Sequence, residues 1–252
     1  MSIGSCCTKG FRCDGEPTGR TGRLTDLDCY VTGENTKAAV LIVHDLFGWT
    51  LPNIRLLADH YAKEADVTAY VPDFFQGDSL PLDLLTAEKW SEMDMPGFLR
   101  RNSREIREPQ IVAFARALRE KYDKVGAIGF CYGGWAVFRL GAREHVPPLV
   151  DCVTSAHPSL LKAEDIDAVG VPVQMLAPEF DPVYTAELKL HTFQRLQAAG
   201  LPFDYQHFPG HAHGCLVRGD KERKGERAAM ERAMERGKNA AVAWMRLFLH
   251  DE

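Results

Sequence analysis

Short apolar runs alternate with amphipathic segments along most of the chain. Residues 38–43 are wholly apolar, and Pro52 opens a segment in which Leu57 and Tyr61 share one helical face. Residues 67–71, Val-Thr-Ala-Tyr-Val, are predicted as the next strand. Further strands are predicted at 125–130, 149–155, 171–177 and 203–208. The alternation of strand and helix predicts an α/β fold, with a mostly parallel sheet that carries helices on both faces.

The most informative motif is Gly-Phe-Cys-Tyr-Gly-Gly at residues 129–134, directly after a predicted strand. Gly129 and Gly133 are the small residues that a sharp strand-to-helix turn requires on either side of its central residue. Such a turn puts Cys131 at a helix N-terminus, where the helix dipole favours thiolate. The pattern predicts a nucleophilic cysteine. The alternative is a small buried residue in a glycine-rich turn.

Two polar residues follow later strands in the order that enzymes of the α/β-hydrolase type use, which is nucleophile, acid and then histidine. Asp181 comes just after the strand at 171–177, and the sequence Pro-Gly-His-Ala-His-Gly at 209–214 is predicted as a loop after the strand at 203–208. Its second histidine, His213, is the candidate base. The three residues are expected on one rim of the sheet.

The first histidine of this segment, His211, competes with His213 for the role of base. Together with His207 and Cys215 it also opens the alternative of a metal site. Counting from the turn at 209–210 favours His213. A cysteine nucleophile with acid and base partners accounts for the same residues without a metal, so no metal and no cofactor are expected.

These motifs, with Val-His-Asp-Leu-Phe-Gly-Trp at 43–49, Tyr-Val-Pro-Asp-Phe-Phe at 70–75 and Pro-Gly-x-x-His-Gly at 209–214, resemble the dienelactone hydrolases, or carboxymethylenebutenolidases. The resemblance covers most of the chain. It implies an α/β-hydrolase fold with Cys131 as nucleophile, His213 as general base and acid, and Asp181 as the residue that orients the imidazole. Ser-Cys-Cys at 5–7 resembles the fungal branch, some of whose members accompany polyketide pathways.

Attack on a lactone or ester carbonyl produces an oxyanion that needs hydrogen-bond donors. The backbone N–H groups of Leu46, on the loop after an early strand, and of Tyr132, just after the nucleophile, are the expected donors. In bacterial relatives a glutamate at the position of Asp45 holds the resting thiol neutral. Asp45 is one methylene shorter, so it either reaches Cys131 through a shifted backbone or leaves the thiol less restrained. The alternative for Asp45 is a cap on nearby backbone N–H groups.

The resemblance also implies arginines that bind a substrate carboxylate. Arg218 lies near the expected place, one residue later than the family spacing, and the alternative for it is a solvent-exposed charge. Candidates for a second arginine are Arg100, Arg101 and Arg104. An anionic substrate therefore stays open.

Aromatic residues flank the predicted catalytic loops and could form an apolar cleft for an unsaturated lactone or an aryl ester. Trp49 and Phe180 are the candidates for substrate contact, with Tyr132, Trp135 and Tyr184 nearby; core packing is the favoured alternative for Trp135 and Phe180. The segment 80–104 is a candidate to line or cover this cleft. Near the C-terminus, Met230, Met234, Ala241 and Trp244 recur at the spacing of a packed amphipathic helix.

Composition fits one compact enzyme domain spanning residues 1–252. With 30 basic and 35 acidic residues, the net charge of −5 offers no footprint for nucleic acid, and no apolar stretch is long enough to cross a membrane. Seven cysteines without compact disulfide spacing indicate a reducing, cytoplasmic location. Cys6, Cys7 and Cys13 cluster near the start and are predicted to pack structurally, with a metal knuckle or redox pair as the alternative.

The sequence therefore predicts a cysteine-dependent hydrolase, monomeric or homodimeric, that opens a small-molecule lactone or ester through an acyl-thioester. A second hypothesis keeps the fold without hydrolysis, as a polyketide-pathway protein that promotes ring closure, rearrangement or ligand binding. A third is a redox or electrophile sensor in which Cys131 reacts without turnover.

Overall fold

A computed structural model describes residues 15–81, 92–218 and 227–250 of the protein. The strands are β1 (Arg20–Leu24), β2 (Leu27–Thr32), β3 (Ala38–Val43), β4 (Thr68–Pro72), β5 (Lys124–Phe130), β6 (Cys152–Ala156), β7 (Val173–Phe180) and β8 (Phe203–Ala212). The helices are α1 (Pro52–Ala65), α2 (Met95–Arg101), α3 (Arg104–Lys121), α4 (Gly133–Leu140), α5 (Ala163–Ala168), α6 (Ala186–Ala199) and α7 (Arg227–Leu249). Strand and helix alternate from β3 onward, as the sequence predicts.

The strands form an eight-stranded sheet in the order β1-β2-β4-β3-β5-β6-β7-β8. From β4 through β3 to β8 every neighbouring pair is parallel, whereas β2 runs antiparallel to both β1 and β4. Every residue of the central strand β3 is buried, as expected for a strand covered on both faces. The predicted α/β fold with a mostly parallel sheet is confirmed.

The antiparallel hairpin of β1 and β2 is not predicted by the sequence. The reason is visible in β1, an edge strand in which Arg20, Thr21 and Arg23 are exposed, so that no apolar alternation marks it. The predicted strand at 149–155 starts later, at Cys152. At the other edge β8 continues to Ala212, past a register irregularity opposite β7, so residues 209–212 belong to a strand and not to the predicted loop.

The helices cover the sheet in two groups. Helices α1 and α7 pack against each other, while α3, α4, α5 and α6 contact one another in series. The predicted C-terminal helix is present as α7, and Met230, Ala241 and Trp244 on its inner face are buried. Among the residues that the structure describes, no helix is long and apolar enough to span a bilayer.

The parallel strands determine where the candidate chemistry gathers. Their carboxyl ends lie on one rim, and the segments that follow β3, β5, β6, β7 and β8 carry, in turn, Asp45, Cys131, Ser159, Asp181 and His213. Ligands of open α/β sheets bind at this rim.

Candidate active site

Cys131 stands at a strained strand-to-helix turn between β5 and α4. Its φ is +51°, in the left-handed region that a residue with a side chain rarely adopts. The neighbouring glycines make the turn possible, because a Cβ on Gly129 would lie 2.1 Å from the carbonyl oxygen of Gly133, and a Cβ on Gly133 would lie 2.1 Å from that of Val43. Strain of this kind is typical of functional positions.

His213 follows β8 directly and contacts Asp181. The Nδ1 of His213 lies 2.9 Å from Oδ2 of Asp181, and both side chains are buried. The other oxygen of Asp181 accepts from the backbone N–H groups of Val183 (3.1 Å) and Tyr184 (3.0 Å), which fixes the carboxylate. Because the carboxylate of Asp181 is bound to Nδ1, the other ring nitrogen, Nε2, points away from Asp181.

The electrostatics of this pair favour an ionised form. Burial alone would lower the pKa of His213, but the negative charges of Cys131 and Asp181 and the hydrogen bonds to both residues raise it to about 10. Burial alone would raise the pKa of Asp181, but the charge and hydrogen bond of His213 keep it below its ordinary value. The arrangement therefore suits an imidazolium beside a thiolate.

Ser159, which sequence reasoning missed, lies within hydrogen-bond distance of both the thiol and the imidazole. Its Oγ is 3.3 Å from Sγ of Cys131 and 3.4 Å from Nε2 of His213. The signal that could have identified it is its position, since it follows a predicted strand at the same rim as the other candidates. Its hydroxyl can both donate and accept a hydrogen bond.

The expected oxyanion donors, Leu46 and Tyr132, flank the thiol on the loops after β3 and β5. Among the backbone–backbone hydrogen bonds of the described loops and turns, none uses either N–H group as donor. Both loops are braced, because the Leu46 carbonyl accepts from the N–H of Leu80 (3.0 Å) and the Tyr132 hydroxyl donates to the carbonyl of Asn102 (2.7 Å). The segment 80–104 thus packs behind these loops; residues 82–91 of it lie outside the described ranges.

Asp45 and Arg218 form a buried ion pair. Nε of Arg218 lies 2.6 Å from Oδ2 of Asp45, and neither side chain is exposed. Oδ1 of Asp45 accepts from the N–H of Phe47 at 3.0 Å, so the capping interaction weighed for this residue is present. Burial, opposed by Arg218 and aided by the charge of Cys131, raises the pKa of Asp45 to about 6. The alternative of a solvent-exposed Arg218 is wrong, because a buried carboxylate holds the guanidinium inside the protein.

His157, also missed at the level of sequence, packs edge-on against His213 with ring centroids 5.0 Å apart. It is buried, its φ is +37°, and neither ring nitrogen has a hydrogen-bond partner among the described residues. Burial, reinforced by the charges of His213 and Arg218, lowers the pKa of His157 well below its ordinary value. The ring is therefore a neutral wall of the site.

The residues predicted to contact substrate are distributed differently. Phe180 is 56% exposed at the end of β7, so core packing, favoured for it on sequence grounds, is wrong. Trp49 is half-buried, with the guanidinium of Arg55 4.7 Å above its ring. Trp135, Tyr132 and Tyr184 are fully buried and belong to the core.

The candidates for a second arginine are engaged elsewhere or exposed. Arg101 pairs with Asp78 (2.9 Å) and Asp94 (3.3 Å) on the surface, and Arg104 pairs with the buried Asp165 at 2.6 Å. Arg100 is exposed at the end of α2. None of these contacts directs a guanidinium to Cys131.

A metal site at His207, His211 and Cys215 finds no geometric basis. In the ranges 15–81, 92–218 and 227–250, no group of three or more His, Cys, Asp or Glu side chains could hold a metal ion. Of the two histidines that compete for the role of base, His213 is the one that contacts Asp181. Cys6, Cys7 and Cys13 lie outside the described residues.

A cavity of about 620 Å³ opens between the loops after β6 and β7. Apolar side chains of Leu161, Val183 and Leu188 line it, with Lys162 and His191 among the polar residues. Leu161 is two residues from Ser159 and Val183 is two residues from Asp181, so the cavity borders the loops that carry the candidate site. Its volume is in the range of small-molecule sites.

The fold and the strained cysteine turn define the class of the protein as an α/β-hydrolase. The model of the dienelactone hydrolase family matches residues 27–249, and the chain belongs to that family. Membership in this family supports the assignment of the protein as a lactone or ester hydrolase.

Relatives agree with this assignment over nearly the whole chain. The chain is 29% identical to the hydrolase tropI of Talaromyces stipitatus, over 98% of this chain and 97% of that protein. It is 30% identical to the carboxymethylenebutenolidase homolog of Mus musculus, over 84% and 85% of the two chains. Among solved structures, the dienelactone hydrolase of Anabaena variabilis is similar in fold, with a TM-score of 0.56 at 15% identity, over 92% of this chain and 98% of that one.

Proposed function

We propose that the protein is a cysteine-dependent hydrolase that opens a lactone or small ester through an acyl-thioester. The observation that carries the proposal is the position of Cys131, at a left-handed turn beside His213, which in turn bonds Asp181. A thiolate next to an imidazolium is a strong nucleophile at neutral pH, and it needs no metal or cofactor for acyl transfer.

In the first half of the reaction the thiolate attacks the carbonyl carbon. The N–H groups of Leu46 and Tyr132 receive the oxyanion, and its collapse breaks the ester C–O bond. The leaving alkoxide takes the proton from Nε2 of His213. In a lactone this alkoxide stays attached to the acyl group, so the product of this half-reaction is a ring-opened hydroxyacyl thioester.

In the second half His213, now neutral, takes a proton from water, which attacks the thioester carbonyl. The C–S bond breaks, the carboxylic acid leaves, and the thiolate and imidazolium are restored. Asp181 holds the ring in the orientation that keeps Nε2 directed at the reacting atoms throughout both halves.

Asp45 restrains the resting thiol in this proposal. With a pKa of about 6 it is mostly ionised at neutral pH, and a carboxylate near Cys131 disfavours the thiolate. Arg218 offsets part of that charge. Because this arginine is occupied, it is a poor candidate to clamp a substrate carboxylate directly, and an anionic substrate would have to compete with Asp45 for it.

The substrate is a small apolar lactone or ester. The exposed ring of Phe180 and the half-buried Trp49 support an unsaturated or aromatic group in the acyl or alcohol part. The proposal includes a cytoplasmic location. It also includes a small-molecule substrate as the binding partner, with no nucleic-acid or membrane partner.

The test compares wild type with Cys131→Ala on a dienelactone and a panel of aryl esters, with folding checked by circular dichroism. Cys152→Ala is the matched control. It removes another buried thiol, which lies at the amino end of β6 and therefore at the edge of the sheet opposite the rim that carries Cys131. We expect Cys131→Ala to lose at least about 1,000-fold in kcat/KM, the control to keep its rate, and mass spectrometry of wild type with a slow ester to find the acyl group on Cys131.

Full activity of Cys131→Ala would reject the cysteine mechanism. A wild type that releases no product from any compound would favour the non-hydrolytic hypothesis, and stoichiometric labelling of Cys131 without turnover would favour a sensor.

A further inference from the structure

The loop after β6 holds Ser159 against the catalytic turn through the backbone. The N–H of Ser159 donates to the carbonyl of Cys131 at 2.7 Å, and the N–H of Cys131 donates to the carbonyl of Ala156 at 3.1 Å. These reciprocal bonds fix the position of the serine relative to the thiol. Ser159 is fully buried, so its hydroxyl faces the site and not bulk water.

The same loop is strained on both sides of Ser159. His157 and Leu160 have φ values of +37° and +58°, both in the left-handed region. Gly134 of helix α4 lets the loop approach, because a Cβ there would lie 2.4 Å from Cβ of Pro158. Backbone of this kind persists only where the surrounding structure holds it. The fold thus maintains the serine at the thiol at a conformational cost.

Resting on the proposed function, we propose that Ser159 is a fourth catalytic residue, whose hydroxyl stabilises the thiolate of Cys131 and the imidazolium of His213 by bonding to both. In the ionised state the Ser159 O–H donates to Sγ, and its oxygen accepts from Nε2–H. In the neutral state the bonds reverse: the thiol donates to Oγ and the hydroxyl donates to Nε2.

The two states differ in the strength of these bonds. Hydrogen bonds to an ionised donor or acceptor are about twice as strong as neutral ones, so the same hydroxyl stabilises the ion pair more than the neutral pair. The hydroxyl also provides a route for the proton: the S–H bond breaks as an O–H bond forms, and the original O–H breaks as N–H forms on Nε2. The direct hydrogen bond of His213 to Cys131 operates beside this route.

The experiment measures the pH dependence of alkylation at Cys131 by iodoacetamide, read from the mass of its peptide so that other cysteines do not contribute. Wild type is compared with Ser159→Ala, with Ser159→Thr, which keeps a hydroxyl, and with Ser155→Ala. Ser155 is the matched control, because it is buried on β6, the strand just before this loop, and its hydroxyl bonds the carbonyl of Gly134.

We expect Ser159→Ala to move the midpoint of alkylation up by about one pH unit and to slow alkylation at pH 7 about tenfold. The acid limb of the kcat/KM profile moves by the same amount. Ser155→Ala leaves both profiles in place, and Ser159→Thr restores at least part of the shift.

An unchanged midpoint in folded Ser159→Ala overturns the inference. The two proposals fail separately: a shifted midpoint in a protein that hydrolyses nothing leaves Ser159 in place and rejects the hydrolase, whereas Cys131-dependent hydrolysis with an unmoved midpoint rejects Ser159 alone.

Discussion

At the scale of single residues, the site depends on charges that are taken out of water in pairs. Asp45 and Arg218 are both inaccessible to solvent and bind each other at 2.6 Å. The two partners differ in one respect, because a carboxyl group can be neutralised by a proton at accessible pH, whereas a guanidinium cannot. Removing one partner or the other should therefore have unequal consequences.

Asp45→Asn leaves a buried arginine without its counter-charge, and we expect the free energy of unfolding to fall by about 3 to 5 kcal/mol at pH 8. Wild type gains stability when Asp45, with its pKa of about 6, takes up a proton in the folded state, so the loss in Asp45→Asn grows as pH falls toward 5. Arg218→Met leaves Asp45, whose pKa is already raised to about 6 and rises further without the arginine. A raised carboxyl pKa makes the folded state bind the extra proton, so the loss in Arg218→Met shrinks as pH falls.

Urea unfolding of both variants at pH 8 and pH 5 measures this difference. The double variant Asp45→Asn with Arg218→Met serves as the control and should recover part of the loss, because no charge is left unpaired. An equal loss in Arg218→Met at both pH values would show that Asp45 stays ionised.

The residues of the site differ in how far sequence could predict them. The contact of His213 with Asp181 connects two loops at strand ends, and the order of strands is readable from apolar runs. The partner of Arg218 is not readable in this way, since its pairing with Asp45 joins positions far apart in the chain. The position of Ser159 after a predicted strand is readable from the sequence, but a serine there has no pattern of its own. Its closeness to Sγ of Cys131 is seen only in the structure.

At the scale of elements, the turn between β5 and α4 determines where the thiol lies. The helix starts so close to β3 that Gly133 faces the carbonyl of Val43 with no room for a side chain. A side chain here has to move either the helix or the strand, and both carry groups of the site. The closeness of these two elements is therefore a requirement of function as well as of packing.

We expect Gly133→Ala to lower the free energy of unfolding by more than about 3 kcal/mol and to abolish rapid alkylation of Cys131, because a backbone carbonyl cannot give way as a flexible side chain can. Gly77→Ala is the control. Gly77 has a φ of +83°, and nothing lies within 4 Å of the point that a Cβ would occupy, so it should lose only the conformational cost of about 1 to 2 kcal/mol. Urea unfolding and labelling test both, and equal losses would contradict the steric argument.

At this scale, the bounds of buried strands are predicted from the sequence better than those of exposed strands. Strand β3 is buried throughout, and the predicted and observed bounds are the same, Ala38–Val43. β1 is an edge strand with exposed arginines and carries no local signal, because pairing with β2 and not an apolar pattern makes it a strand. The extension of β8 to Ala212 depends on the irregular pairing opposite Phe180, a tertiary feature that the local sequence does not mark.

At the scale of the whole molecule, the sheet collects buried histidines at the rim that carries the candidate site, and this couples stability to pH. Burial lowers the pKa of His44 to about 4 and that of His157 well below its ordinary value. In the unfolded chain both groups take up a proton near pH 6.5, so the unfolded state binds more protons than the folded state in mildly acidic solution. The stability that these neutral rings contribute is present above pH 6.5 and is lost as pH falls.

Other groups at the rim change stability in the opposite direction or in another pH range. Asp45, with its pKa raised to about 6, gains a proton in the folded state first and so offsets part of the loss between pH 6 and 4. His213, with its pKa raised to about 10, contributes stability below pH 6.5 that declines as pH rises toward 10. Replacing a single histidine isolates its contribution to the pH dependence of stability.

His157→Phe is the variant that separates these contributions, because a phenyl ring fills similar space between Phe130 and His213 and brings no unpaired nitrogen into it. We expect the free energy of unfolding to fall less steeply from pH 6.5 to pH 4.5 than in wild type, by up to about 1.4 kcal/mol per pH unit, the slope that one proton accounts for. His207→Phe is the control, because this side chain is exposed on β8, and it should keep the wild-type slope. Urea unfolding across this range gives all three curves. Parallel curves for wild type and His157→Phe would mean that His157 takes up its proton in the folded protein, and since its ring lies against His213, the histidine proposed as the base would then face a charged neighbour in mildly acidic solution.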